Sequence, residues 1–256
     1  MRANEIVAPR NSDERKAPAQ IASWNRLVGF LLIGAGVVVL GFLAQHTSSA
    51  GNGTGGQLAS HRQAIPIYLG AILMDWALFY YCWSSVHHYG GSLWTLSGGR
   101  WLSWKDVLLD MGIMVPFLVI WEGTAYGVSK LMDGTAAPGS AKTVDSLLPQ
   151  SLIEILIWIA TSITAGVCEE MAFRGFLQRQ LHALSGNIAV AVLGQGLVFG
   201  LFHSYQGWRN VVVISVLGML YGALVAWRRN LRVNIVAHAF TDVWEGWLKF
   251  VVWRVA

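Results

Sequence analysis

The chain has 256 residues, 54% hydrophobic and only 12% charged, with a mean hydropathy of +0.48. Ordinary soluble domains carry about 25% charged residues, so this composition excludes a conventional soluble enzyme and points to a membrane protein. The thirteen Trp agree, because Trp collects where a bilayer meets water. The net charge of +4 is scattered between apolar segments and forms no stripe, which excludes nucleic acid as a partner.

Residues 1–20, MRANEIVAPRNSDERKAPAQ, are polar, Pro-containing and mixed in charge, and read as a flexible tail. Seven apolar segments follow, at about 24–45, 65–86, 107–130, 151–181, 187–204, 209–227 and 232–252. Each approaches the ~20 residues that span a bilayer as a helix. The expected fold is therefore all-α, a polytopic transmembrane helix bundle of about seven spans. Residues 21–150 supply its N-terminal transmembrane helices, and residues 151–256 supply C-terminal ones that carry the charged motifs, within one membrane domain.

The first segment, followed by Ser48-Ser49-Ala50, imitates a secretory signal. Its apolar run is longer than the usual 7–15 residues and its preceding tail is long, so an uncleaved anchor is expected. The loops at 46–63 and 131–150 are rich in Gly, Ser and Thr or broken by DGTAAPGS, and read as irregular. With the N-terminus inside, twelve of the eighteen Lys and Arg fall on the inner side, Arg174 among them. The positive-inside rule then predicts a cytoplasmic N-terminus. Cys82 and Cys168 form neither a disulfide framework nor a zinc-ribbon spacing and read as small apolar fillers.

The fourth segment contains AGVCEEMAFRGFLQRQ, with two adjacent glutamates and an arginine where charge is costly. Glu170 and Arg174 are four apart, so on a helix they share a face and can neutralise each other. Glu169 is turned about 100° away and has Phe173, not a cation, at the i+4 position. One glutamate is thus braced and the other left reactive, as a general base requires. The competing reading is that all three snorkel to water at a helix end. His203 closes the fifth segment, four residues after Phe199. In the seventh, Asn234, His238 and Asp242 recur at intervals of four and make one polar stripe on an apolar helix.

Two acids, two histidines, an Asp and an Asn thus converge from three segments, the fourth, fifth and seventh. Such a set can activate a water: a Glu takes its proton, a His or Asn stabilises the oxyanion, and another His protonates the leaving amine. It could equally bind zinc through His203, His238 and an acid. The HExxH spacing of common zinc proteases and the GxSxG elbow of serine hydrolases are both absent. Asp75, Asp110, Glu122, Glu154 and Glu245 are isolated acids and read as packing or loop-proximal groups.

The motifs Glu169-Glu170-x-x-x-Arg174, Phe199-x-x-x-His203 and His238-x-x-x-Asp242, in this order, resemble those of the CPBP family. These are CAAX-protease and bacteriocin-processing membrane proteins, related to the Ras-converting endopeptidase. The resemblance covers about residues 150–245 and implies an intramembrane endopeptidase acting on membrane-associated, prenylated CAAX-type substrates. It implies Glu169 as the water-activating base, Glu170 and Arg174 as its support, and His203 and His238 as oxyanion-stabilising and water-positioning groups. Asp242, where relatives have Asn or Asp, would orient a histidine, and Phe199 and Asn234 would shape the substrate cavity. The family is described both as zinc-dependent and as metal-free, and the motifs fit either. Partners are then membrane lipid and a membrane-associated peptide or protein. The alternatives are a non-catalytic scaffold or bacteriocin-immunity protein of the same fold, and a proton-coupled transporter.

Overall fold

A computed structural model describes residues 21–48, 64–99, 103–133 and 148–255. The tail at 1–20 and most of both irregular loops, 49–63 and 134–147, lie outside the described residues. The elements are α1 (Trp24–Ser48), α2 (Ala64–His88), a short α3 (Leu93–Ser97), α4 (Trp104–Leu131) and α5 (Leu152–Glu169). α5 continues without a break through a π-helical stretch (Glu170–Leu177) into α6 (Gln178–Ser185). After these come α7 (Ile188–Phe202), a 3-10 turn (Ser204–Gln206), α8 (Trp208–Arg228) and α9 (Arg232–Val255). Among the described residues there is no strand, and the fold is an all-α helix bundle.

Every one of the seven apolar segments is helical, as the expected polytopic helix bundle requires. By length and composition, four helices among the described residues can cross a membrane: α2, α4, α8 and the continuous Leu152–Ser185. α1 over Trp24–Leu40 and α7 are apolar but shorter. α9 is long, yet its stripe of Asn234, His238 and Asp242 dilutes its apolar character.

The helices start where capping chemistry dictates. Ser103 and Asp106 form a reciprocal capping box on α4, and Ser151 and Glu154 form another on α5. In the second, Glu154 Oε2 accepts from the backbone N–H of Ser151 (3.1 Å) and Gln150 (2.7 Å), satisfying donors that a helix start otherwise leaves open. Successive helices run up and down. At one end, Asp110 of α4 accepts from Arg228 of α8 and Arg232 of α9, both at 2.7 Å. At the other, Arg209 at the start of α8 donates to Ser129 O and Asp133 beyond the end of α4.

The core is aromatic. Phe173 of the π stretch packs edge-on against Phe30 (5.5 Å), Phe199 (4.9 Å) and Phe202 (5.0 Å), joining α1 and α7 to the central helix. Gln180 of α6 ties down the entry to α1, accepting from Ile21 and Ala22 N–H and donating to Ala22 O. The α5–α9 crossing is backbone against backbone. A Cβ at Gly166 would lie 2.9 Å from Ala239 N, Ala239 Cβ and Ile235 O, so glycine is what lets α9 lie close to Glu169.

Gly166→Val should therefore cost about 1–3 kcal/mol through overpacking and lower the melting temperature in detergent. Gly112→Ala, on a surface where a Cβ meets nothing within 4 Å, should leave it unchanged or raise it.

Candidate active site

Glu170 and Arg174 are completely buried, with side-chain exposures of 0%. The snorkelling alternative is thereby overturned for both: neither reaches water. Arg174 Nη1 donates to Glu170 Oε1 at 2.8 Å, and its Nη2 donates to Gly218 O on α8 at 3.1 Å. The guanidinium lies between two aromatic rings, 4.3 Å from the Phe199 centroid and 5.2 Å from that of Tyr221, a cation–π arrangement that suits a desolvated cation.

Glu170 accepts two further bonds, both from α9. His238 Nδ1 donates to Oε1 at 2.9 Å, and Asn234 Nδ2 donates to Oε2 at 3.1 Å and to Tyr221 O at 2.9 Å. Oε1 of Glu170 thus accepts two bonds and Oε2 one, all from protein donors, in a side chain with no exposed surface. Because Nδ1 of His238 is the donor, its Nε2 is the atom turned outward. That nitrogen stands 3.8 Å from Glu169 Oε2 and 3.7 Å from Asp242 Oδ2.

Glu169 is different from its neighbour. Its side chain is 16% exposed, and Oε2 has no hydrogen-bond partner. Asp242, 35% exposed, flanks His238 Nε2 as well. Its backbone oxygen accepts from Trp158 Nε1 at 2.8 Å, a second tie between α5 and α9.

His203 caps the end of α7. Its Nδ1 donates to Phe199 O at 2.9 Å, and its ring lies 4.7 Å from the Phe199 ring. Phe199 in turn stands 6.1 Å, edge-on, from His238. The geometry thus joins Glu169, Glu170, Arg174, Asn234, His238 and Asp242 directly, and His203 through Phe199. Phe199 and Asn234 are buried struts behind Glu170, and neither lines the apolar groove found beside α9. That groove, about 350 Å3, is bounded by Leu118, Val119 and Glu122 of α4 and Phe240, Thr241 and Trp244 of α9.

Among the described residues no group of three or more His, Cys, Asp and Glu is arranged to hold a metal ion. The Nδ1 atoms of His203 and His238 are held by Phe199 O and Glu170, which leaves Nε2 as the nitrogen each ring can offer.

Two of the acids read as packing or loop-proximal groups have defined structural partners. Glu154 is a helix cap at the far end of α5, announced by the Ser-x-x-Glu pattern at 151–154. Asp110 is a buried clamp between two arginines. Asp75, on α2, shares its electrostatic surroundings with Glu169, His238 and Asp242. No spacing rule relates it to them, because it comes from a helix distant in sequence.

Residues 151–244 match the family model described as Rce1-like, type II CAAX prenyl endopeptidase Rce1-like. No curated protein and no solved structure matches the chain.

Arg174→Met removes one partner of a buried pair and should cost about 3–5 kcal/mol, seen as loss of the monodisperse peak or of the melting transition in detergent. Arg174→Lys, which lacks the planar fork that reaches Glu170 and Gly218 O together, should fall between the two.

Proposed function

We propose, on the premise that residues 151–244 are a domain of the CPBP family of CAAX-type membrane proteases, that this chain hydrolyses peptide bonds of membrane-associated substrates with a water activated by Glu169. The observation that carries this reading is the contrast between two adjacent glutamates. Glu170 accepts from Arg174, His238 and Asn234, whereas Glu169 Oε2 is unpartnered and 3.8 Å from His238 Nε2.

In the proposed reaction, Glu169 takes a proton from the water as its oxygen bonds to the scissile carbonyl carbon. His238, held by Glu170 at Nδ1, presents Nε2–H to the developing oxyanion. Asp242 and Glu170 favour the cationic imidazole that this requires. The oxyanion then collapses, the C–N bond breaks, and Glu169 passes its proton to the departing nitrogen. His203, with Nδ1–H committed to Phe199 O, offers a lone pair at Nε2 in its neutral form and orients the water. Glu170, Arg174 and Asn234 act through His238 and are positioning residues.

The four apolar helices and the family match support an integral membrane protein. Within that reading the N-terminus is cytoplasmic. Arg174 drops out of the charge count because it is buried, yet the inner side keeps eleven Lys and Arg against six. The substrate class is a membrane-associated peptide, with a prenylated CAAX-type peptide as the first to test.

A fluorogenic prenylated peptide should be cleaved by the purified wild type. Glu169→Gln should lower kcat by about 100-fold or more, the range of a lost general base, with an unchanged melting temperature. Equal cleavage by both proteins would reassign the base.

A further inference from the structure

Tyr221 stands on α8 in the stretch Gly218-Met219-Leu220-Tyr221-Gly222. Gly218 and Tyr221 are three apart and share one face of that helix. The face meets the buried ion pair. Arg174 Nη2 donates to Gly218 O at 3.1 Å, and one turn further on the guanidinium lies 5.2 Å from the Tyr221 ring centroid. The backbone oxygen of Tyr221 accepts from Asn234 Nδ2 at 2.9 Å, the same nitrogen that donates to Glu170. Phe117 of α4 packs on the ring at 5.1 Å, and the residue is 2% exposed. Tyr221 is thus fastened at both its backbone and its ring.

The same ring stacks on His238. Their centroids are 5.5 Å apart and their planes differ by only 26°, the geometry of an offset-stacked pair. Phe199 meets His238 differently, edge-on at 6.1 Å and 86°. The bond from Nδ1 to Glu170 holds the imidazole at one point, at 2.9 Å. A ring held at one point can still tilt. A parallel face against it removes that freedom and so decides where Nε2 stands, 3.8 Å from Glu169 Oε2 and 3.7 Å from Asp242 Oδ2. A ring face also attracts a cation. Glu169, Glu170 and Asp242 act on the imidazole at its two nitrogens, whereas Tyr221 acts on its face.

The hydroxyl has no share in this. It is buried and has no hydrogen-bond partner among the described residues, which costs stability. The working part of Tyr221 is therefore its ring.

We propose that Tyr221 is a positioning residue for the hydrolysis. Its ring face holds the His238 imidazole in the plane that presents Nε2 to the reacting carbonyl, and favours the cationic form. The inference rests on the proteolytic reading of the same site.

The test uses detergent-purified full-length protein and the fluorogenic prenylated peptide. Tyr221→Met removes the ring and should lower kcat by about ten- to thirtyfold, the rate equivalent of a desolvated cation–π contact. Its KM should stay within about twofold of wild type, since the ring acts on the chemical step. Tyr221→Phe keeps the ring and should recover kcat to within about threefold of wild type. The stack is also read without substrate. The His238 ring-proton NMR signals, assigned by their loss in His238→Gln, should lie upfield in wild type and Tyr221→Phe and move downfield in Tyr221→Met. Size-exclusion profile and melting temperature establish folding. If Tyr221→Met does not fold, Tyr221→Leu replaces it, and if neither folds the wild-type signals and the kcat of Tyr221→Phe decide. A folded ringless variant with wild-type kcat would overturn the inference, as would a Tyr221→Phe slowed as much as Tyr221→Met. Unshifted His238 signals in wild type would overturn it too, and in each of these cases the proteolytic reading stands. No cleavage of any membrane-anchored peptide by wild type would overturn the proteolytic reading, and the inference with it.

Discussion

The buried pair of Glu170 and Arg174 is the constraint on which the other parts of this structure depend. Removing two charges from water is costly, and direct attraction alone seldom recovers the loss. Here further hydrogen bonds and ring contacts add to the attraction, although Arg174 Nε has no partner among the described residues. Gly218 O receives the second guanidinium nitrogen, two ring faces cover the cation, and His238 and Asn234 complete the carboxylate. These partners sit on α7, α8 and α9, so satisfying one ion pair obliges three helices to meet the central one in a fixed register. The same satisfaction fixes which nitrogen of His238 faces outward and leaves Glu169 as the carboxylate with an open oxygen.

The π-helical stretch gives this arrangement its form. Hydrogen bonds from i to i+5 widen the turn, and such turns occur mostly at functional sites. Here the wide turn begins at Glu170, immediately after Glu169, and all eight of its residues are buried. It carries the ion pair on one side and Phe173 and Phe176 into the aromatic core on another. One short segment thereby serves both the site and the packing.

Much of this is legible in the residues alone, and the limits have physical causes. An i, i+4 spacing is a local property, so the contact between Glu170 and Arg174 and the stripe of Asn234, His238 and Asp242 can be read from one helix at a time. Helix count follows from apolar length, although the polar stripe makes α9 a poor span by composition. The widened turn is not read from the pattern, because reading a period takes a window of about 11–18 residues and the stretch has eight. Asp75, Asp110 and their partners could not be placed, since which helix faces which is decided by packing across the bundle and not by spacing along it. Glu154 is a different case: Ser-x-x-Glu before an apolar run is a cap signal in its own right, and it outweighs any reading of that acid as part of a distant site.

The two ties between α5 and α9, at Gly166 and at Trp158, make those helices one unit beside the reactive groups. α4 is held otherwise. Its ends are fastened, by Asp110 to the two arginines and by the Arg209 contacts beside Asp133, while most of its length between them faces outward. Pro116 sits in the middle of that length, where it can neither donate to the carbonyl four residues back nor let the helix close up around it. A rod pinned at both ends and notched at its centre flexes at the notch. Phe117, Leu118 and Val119 follow the notch directly, and the last two form one wall of the groove beside Thr241. Bowing α4 at Pro116 changes the width of that groove while both end fastenings stay closed, but it must also draw Phe117 away from Tyr221, Leu224, Val233 and Ala237, with which it is buried.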